Sequence, residues 1–201
     1  MGSPNLRKLG ARRHADGKLR CAWCGTDPLY LAYHDTEWGR PLKDDRALFE
    51  LLTLEGCQAG LSWITVLRKR EHYRKVYDGF EPVKIARYTP AKLKKLLADP
   101  GIIRHRGKIE ASVSNARAYL ALVEREGSFA KFLWNFVGGK PKKNRPKSLK
   151  DVPSKSAESD AMAKALQKAG FKFVGSTICY AFMQASGMVD DHVVGCHRHR
   201  E

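Results

Sequence analysis

Cysteine and histidine gather at the two ends of this chain. Cys21, Cys24 and His34 lie near the start, and His192, Cys196, His197 and His199 near the finish. Zinc in a structural site takes four tetrahedral N/S ligands. Two ligands from each terminus would clip the chain ends together and limit their fraying. His192 and Cys196 are four apart, so on a helical turn they face the same way. The Cys21-x-x-Cys24 pair also resembles half of a zinc knuckle or a redox motif. The plain alternative is a scatter of side chains that bind nothing.

Two further sets could do chemistry. Trp23, Tyr30, Tyr33 and Trp38 fall close together, and Trp63 follows. Aromatic faces stack on bases and attract cations. Any one of them alone would be an ordinary core residue, but the set predicts a pocket. Glu55 follows Leu48, Leu51 and Leu52 at helical spacing, so it projects from the apolar face at that helix's end. A carboxylate there is desolvated unless it has a partner. It is either a cap or salt-bridge residue or the binding site for a cationic ligand. Finally, Gly170-Phe171-Lys172-Phe173-Val174-Gly175 is a short turn between two helical patterns. Its glycines permit positive φ, and the next helix offers N–H groups and its positive dipole end to an anion. A helix-hairpin-helix element grips a DNA phosphate this way; an ordinary interhelical turn looks the same in sequence.

The elements that must hold these residues read as helices. Asp44 or Asp45 predicts a cap for a helix to about Leu54, and Ser62 a cap for one bearing Trp63, Val66, Leu67, Arg70 and Tyr73. Thr89-Pro90 starts another, because proline at the first helical position loses no useful N–H. Ile109, Val113, Ala116 and Leu120 give a helical stripe, and so do Ile178, Phe182 and Ala185. Strand alternation is absent, which predicts an all-α fold. Residues 138–159 read as a loop or linker.

Of the 201 residues, 43% are apolar and 29% charged, a globular composition with enough chain for a sizeable core. No apolar run reaches the roughly 18 residues of a spanning helix, and the start lacks a signal-peptide pattern. A soluble cytoplasmic protein without a membrane partner is expected. The odd number of cysteines, five, favours reduced thiols or metal ligands over disulfides. The net charge of +16 favours a polyanion. Residues 1–20 carry +5 and residues 139–155 carry +6, leaving only +5 for the rest. The expected organisation is a basic disordered arm at 1–20, one unit at 21–196 and a tail at 197–201.

Several long motifs together resemble one family. They are residues 27–39 (DPLYLAYHDTEWG), 54–67 (LEGCQAGLSWITVL), 101–109 (GIIRHRGKI), 170–175 (GFKFVG) and 189–196 (VDDHVVGC). They closely resemble the 3-methyladenine-DNA glycosylase I family of bacterial alkylation repair, from about Cys21 to Cys196. The resemblance implies an all-α helix-hairpin-helix glycosylase fold with a zinc-binding lobe formed by the two termini. It implies excision of N3-methyladenine from double-stranded DNA, with free 3-methyladenine as the product ligand. It places one structural zinc on Cys21, His34, His192 and Cys196, with Cys24 as a possible replacement for Cys21. The base pocket falls on Glu55, Tyr33 and Trp63, with Trp23, Tyr30 and Trp38 nearby. Gln58, Gly60 and Leu61 form the candidate wedge that fills the gap left by a flipped base, and Gly170, Lys172 and Gly175 the phosphate-gripping turn. In related glycosylases an aspartate in a Val-Asp-x-His motif assists the reaction, and Asp190 stands at that position. A monomer is expected. Two rivals remain at this point: a non-catalytic nucleic-acid-binding zinc protein, and a zinc hydrolase, which would need an open metal position.

Overall fold

A computed structural model describes residues 10–199 and is mostly helical. It separates into two compact units, where the sequence predicts one unit made of a helical core and a lobe of the two termini. Among the described residues the first comprises 10–41, 140–154 and 183–199, and the second 42–139 and 155–182.

In the first unit, β1 (Ala11–Arg13) pairs antiparallel with β2 (Leu19–Cys21), with Arg12 opposite Arg20. The disordered arm is therefore corrected for residues 10–20; residues 1–9 lie outside the described residues. The hairpin is too short to show alternation, and a buried charge holds it. Arg20 is 3% exposed and pairs with Asp16 at 2.6 Å and Asp35 at 2.7 Å. Next come a single 3-10 turn, Ala22–Cys24, and α1 (Pro28–Thr36), capped by Asp27. The basic segment 139–155 is not a loose linker throughout. Its β3 (Lys142–Lys143) pairs parallel with β4 (Val189–Asp190), and the Asn144 amide donates to Asp191 at 2.7 Å. These two small sheets add to a mostly helical chain, which bears out the all-α expectation in its main part. The tail is corrected as well: His197 N–H donates to the Leu19 carbonyl at 2.8 Å.

The second unit is helical: α2 (Asp45–Gln58), α3 (Trp63–Leu67), α4 (Arg70–Val76), α5 (Pro82–Ile85), α6 (Pro90–Ala98), α7 (Arg106–Glu126), α8 (Phe129–Trp134), α9 (Ala157–Lys168) and most of α10 (Ser176–Ala185). Asp44 caps α2 by accepting from the Ala47 N–H. Asp45 instead accepts from the N–H groups of Phe129 and Ala130, capping α8 across the core. The predicted helix after Ser62 is two helices, α3 and α4. Buried Leu48, Phe49, Leu52, Ile109, Leu122, Phe129 and Leu133 fill the interior.

Candidate functional site

A buried donor cluster occupies the first unit. Cys21, His34, His192 and Cys196 are all buried, and their four ligand atoms lie within 4.8 Å of one another. The arrangement can hold a metal ion. Cys21 ends β2, His34 lies in the last turn of α1, and His192 and Cys196 follow β4. His192 and Cys196 are brought together by a tight turn, not a helix: the Cys196 N–H donates to the Val193 carbonyl at 2.9 Å. Cys24 is not a member. Its thiol donates to the Cys21 carbonyl at 3.1 Å. His197 and His199 also turn away, to the Leu19 and His192 carbonyls.

The other ring nitrogen of each clustered histidine is held. His34 Nδ1 meets Asp35 at 2.8 Å, and His192 Nε2 meets the Trp38 carbonyl at 3.3 Å. Such outer partners fix the tautomer and ring orientation of a metal ligand. Asp35 is in turn gripped by Arg20 through both carboxylate oxygens. Burial opposes ionisation of Asp35, but the hydrogen bonds from Arg20 and His34 win and hold it at about 2. The thiolates are also served: Val193 N–H donates to Cys21 Sγ, and Arg198 N–H to Cys196 Sγ, both at 3.4 Å. The hydrogen bond between the two sulfurs pushes Cys21 up and holds Cys196 down.

The aromatic set is divided. Trp23 packs edge-on against Tyr30 at 5.0 Å, Trp38 at 4.9 Å and His34 at 5.4 Å. Trp38 meets the His192 ring at 4.6 Å. Gly39, at φ +75°, makes that approach possible: a Cβ there would lie 2.9 Å from His192 Nε2. Trp23 and Trp38 thus wall the donor cluster, an arrangement not expected from the base-pocket reading. Tyr33 is buried beside Tyr30, 6.4 Å between ring centres.

The second unit carries Glu55. Helix α2 runs past Leu54 to Gln58, so Glu55 lies within its last turn rather than at its end. Beyond Glu55, Lys108 of α7 donates to the carbonyls of Cys57 at 2.9 Å and Ala59 at 2.7 Å. Glu55 is 4% exposed, takes no hydrogen bond or ion pair among the described residues, and is pushed up to about 8 by burial. It lines an open cleft with Gln58, Ala59, Gly60, Leu61, Thr177, Ile178 and Ala181. Trp63 is buried at the start of α3.

The glycine-bounded turn joins α9 to α10 in the same unit. Gly170, at φ +96°, stops α9: its N–H donates to the Gln167 carbonyl and the Phe171 N–H to that of Leu166. That pair of bonds is a Schellman motif, so Gly170 has a structural reason to be glycine. Asn115 and Lys108, both on α7, went unremarked in the sequence. Asn115 bonds both backbone atoms of Lys172, donating to its carbonyl at 3.0 Å and accepting from its N–H at 2.7 Å. Asn115 lies off the stripe of Ile109, Val113, Ala116 and Leu120, so that apolar spacing gave no signal for it.

Comparison with known proteins agrees with the motifs. A family model described as methyladenine glycosylase matches residues 23–199. DNA-3-methyladenine glycosylase 1 of Escherichia coli is 55% identical over 177 residues, covering 88% of this chain and 95% of that protein. A crystal structure of 3-methyladenine DNA glycosylase I superposes with a TM-score of 0.89 at 56% identity, covering 90% of this chain and all of that one. The Staphylococcus aureus enzyme of the same name, solved for its recognition of 3-methyladenine, gives 0.87 at 41% identity, covering 90% and 97%. This chain, by family-model match and by relatives more than half identical over nearly their whole length, belongs to the methyladenine glycosylase family.

Proposed function

We propose that the chain is a DNA repair glycosylase that extrudes N3-methyladenine from double-stranded DNA and hydrolyses its N-glycosidic bond. The observation that carries this is Glu55, a buried carboxylate without a partner among the described residues, lining an open cleft. Methylation at N3 makes the adenine cationic. Unpaired burial keeps Glu55 protonated at neutral pH, and a cation beside it would favour the charged form. Neutral adenine offers no such gain, and extrusion costs it a few kcal/mol as it does any base.

Water adds to C1′ and loses a proton, while the C1′–N9 bond breaks and its electrons neutralise the departing base. The products are an abasic site and free 3-methyladenine. The resemblance adds Trp63, in the same unit as Glu55, as an aromatic contact to the base. Gln58, Gly60 and Leu61 supply a rim whose Leu61 is 43% exposed, suited to filling the vacated stack. Lys172, Gly175 and the start of α10 form the phosphate-gripping half of a helix-hairpin-helix element. The N–H groups of Phe173, Val174 and Gly175 have no partner among the described residues. No described helix is long and apolar enough to cross a membrane.

The metal in this reading is zinc, one per chain. Zn–S near 2.3 Å and Zn–N near 2.0–2.1 Å in a tetrahedron require S···N separations of about 3.6 Å. Cys196 Sγ lies 3.5 Å from His34 Nε2 and 3.6 Å from His192 Nδ1, and Cys21 Sγ lies 3.6 Å from His192 Nδ1. Four protein ligands fill the tetrahedron, so the ion would staple the fold rather than activate water.

Incubation with N-methylated duplex DNA, followed by chromatography of the released bases, tests the proposal. Release of 3-methyladenine is expected, and DNA binding without release would overturn it. Asp190 is expected to be dispensable for the chemistry. Its carboxylate is 3% exposed and accepts from the His192 N–H at 3.1 Å, a bond that an asparagine oxygen also accepts. Asp190→Asn should keep most of the excision rate. A thousandfold loss with the fold intact, roughly 4 kcal/mol of barrier, would make Asp190 a catalytic group.

A further inference from the structure

Two loops of the second unit concern the Glu55 cleft: the segment after α2, from Ala59 to Ser62, whose Ala59, Gly60 and Leu61 line it, and the turn Gly170–Gly175, which leads into α10, whose Thr177, Ile178 and Ala181 line it. Each makes local bonds of its own: the Leu61 N–H donates to the Gln58 carbonyl at 2.6 Å in the first, and the Gly170 and Phe171 N–H groups close α9 in the second. The first has Gly60 at φ +81° and exposed Leu61 at its tip. The second has Phe173 at φ +56°, a left-handed conformation costly for any residue with a Cβ. Such strain persists only where the surroundings impose it.

Both are imposed by one helix. Lys108 Nζ donates to the carbonyls of Cys57 and Ala59. Asn115, buried, clasps the N–H and carbonyl of Lys172, next to Phe173. The two residues are seven apart on α7, two turns on the same face, a rise of about 10 Å. Gly56 closes the arrangement from below. A Cβ on it would lie 3.3 Å from the Phe173 carbonyl oxygen, so α2 and the strained turn are in direct contact.

We propose that Lys108 and Asn115 are positioning residues for DNA engagement, with one face of α7 setting the separation between the gap-filling loop and the phosphate-gripping turn. This rests on the reading of those loops as DNA contacts. A duplex is stiff, so an extruding enzyme must meet the vacated stack and the neighbouring phosphate at a fixed distance. Two clasps on one rigid helix supply that distance without touching the base.

The test compares three readouts in each variant: affinity for a duplex carrying an abasic-site analogue, affinity for free 3-methyladenine, and single-turnover excision at saturating enzyme. Lys108→Met and Asn115→Leu should each weaken duplex binding about tenfold, the scale of losing two hydrogen bonds. Free-base affinity and the saturated excision rate should stay within about twofold. Lys108→Arg, which keeps the donors, should recover most of the loss. The double variant should be little worse than the weaker single, because losing either clasp already loses the spacing. Should Asn115→Leu fail to fold, Asn115→Asp, which keeps the acceptor and loses the donor, carries the same comparison. Unchanged duplex affinity in these variants, or equal loss of free-base affinity, would overturn the proposal. Leu61→Ala and Lys172→Ala separate it from its premise. If they weaken duplex binding while the α7 variants do not, the positioning role alone fails; if they do not, both readings fall.

Discussion

Cys196→Ser should leave the protein without its metal and melt it far below the wild type, while Cys24→Ser should change little. Both cysteines are buried, so burial alone does not separate them. Their partners do. Cys196 Sγ faces His34 and His192 and accepts from the Arg198 N–H, whereas the Cys24 thiol donates only to the neighbouring Cys21 carbonyl. In the first unit the donors come from residues 21 and 34 on one side and 192 and 196 on the other, so the ion closes a loop of nearly the whole chain. Binding free energy at such a site is folding free energy, on the order of 10 kcal/mol in small zinc modules. Losing even a third of that would lower Tm by roughly 6–14 °C in a domain of this size. Elemental analysis should give one zinc per chain in the wild type and in Cys24→Ser, and little in Cys196→Ser. Equal thermal losses in the two variants, or no metal in the wild type, would remove the zinc assignment.

The donor cluster was largely legible in the sequence, because metal chemistry restricts residue types and the ends of the chain held the only dense Cys and His sets. Cys24 remained a rival because C-x-x-C spacing alone does not say which thiol points inward. The 3-10 turn Ala22–Cys24 decides it by turning the second thiol back on its own backbone. The β1–β2 hairpin was hidden for a different reason. Three-residue strands carry no periodicity, and Arg12, Arg13 and Arg20 read as a solvated run. Only the structure shows Arg20 buried between Asp16 and Asp35. The helices of the second unit were legible from apolar spacing, though a single polar decision moved a boundary. The apolar spacing ends α2 near Leu54, but Lys108, fifty residues on, donates from its Nζ to the Cys57 carbonyl and so satisfies a carbonyl that a longer helix leaves open. Long-range hydrogen bonds of this kind leave no local trace. That is also why Lys108 and Asn115 were passed over.

Glu55→Gln should cut excision of 3-methyladenine by roughly ten- to a hundredfold, the 1.5–3 kcal/mol of a charge-assisted hydrogen bond. It should also raise thermal stability. The two effects have one cause. Burial pushes Glu55 from its ordinary 4.5 to about 8. Its folded-state value therefore lies above the unfolded one. Below pH 4.5 both states hold the proton and Glu55 contributes nothing. As pH rises toward 8 the unfolded chain releases the proton while the folded chain keeps it, so stability falls across that window. Glutamine has no such titration. The Tm advantage of Glu55→Gln should accordingly be near zero at pH 4.5 and grow up to about pH 8.

Activity should move the opposite way. Only the ionised carboxylate complements a cationic base, so wild-type kcat/KM should climb with pH through an apparent midpoint near 8, and Glu55→Gln should lack that limb, since kcat/KM reports ionisations of the free enzyme. The glutamine keeps the side chain's length and one acceptor, so packing in the cleft with Gln58, Leu61 and Ile178 is preserved. Wild-type rates and an unchanged pH limb in Glu55→Gln would end the role assigned to this carboxylate. A loss of stability in place of the gain would show that Glu55 braces the fold, because an unpaired buried acid that is useful only to a cationic ligand must be a cost to the empty protein.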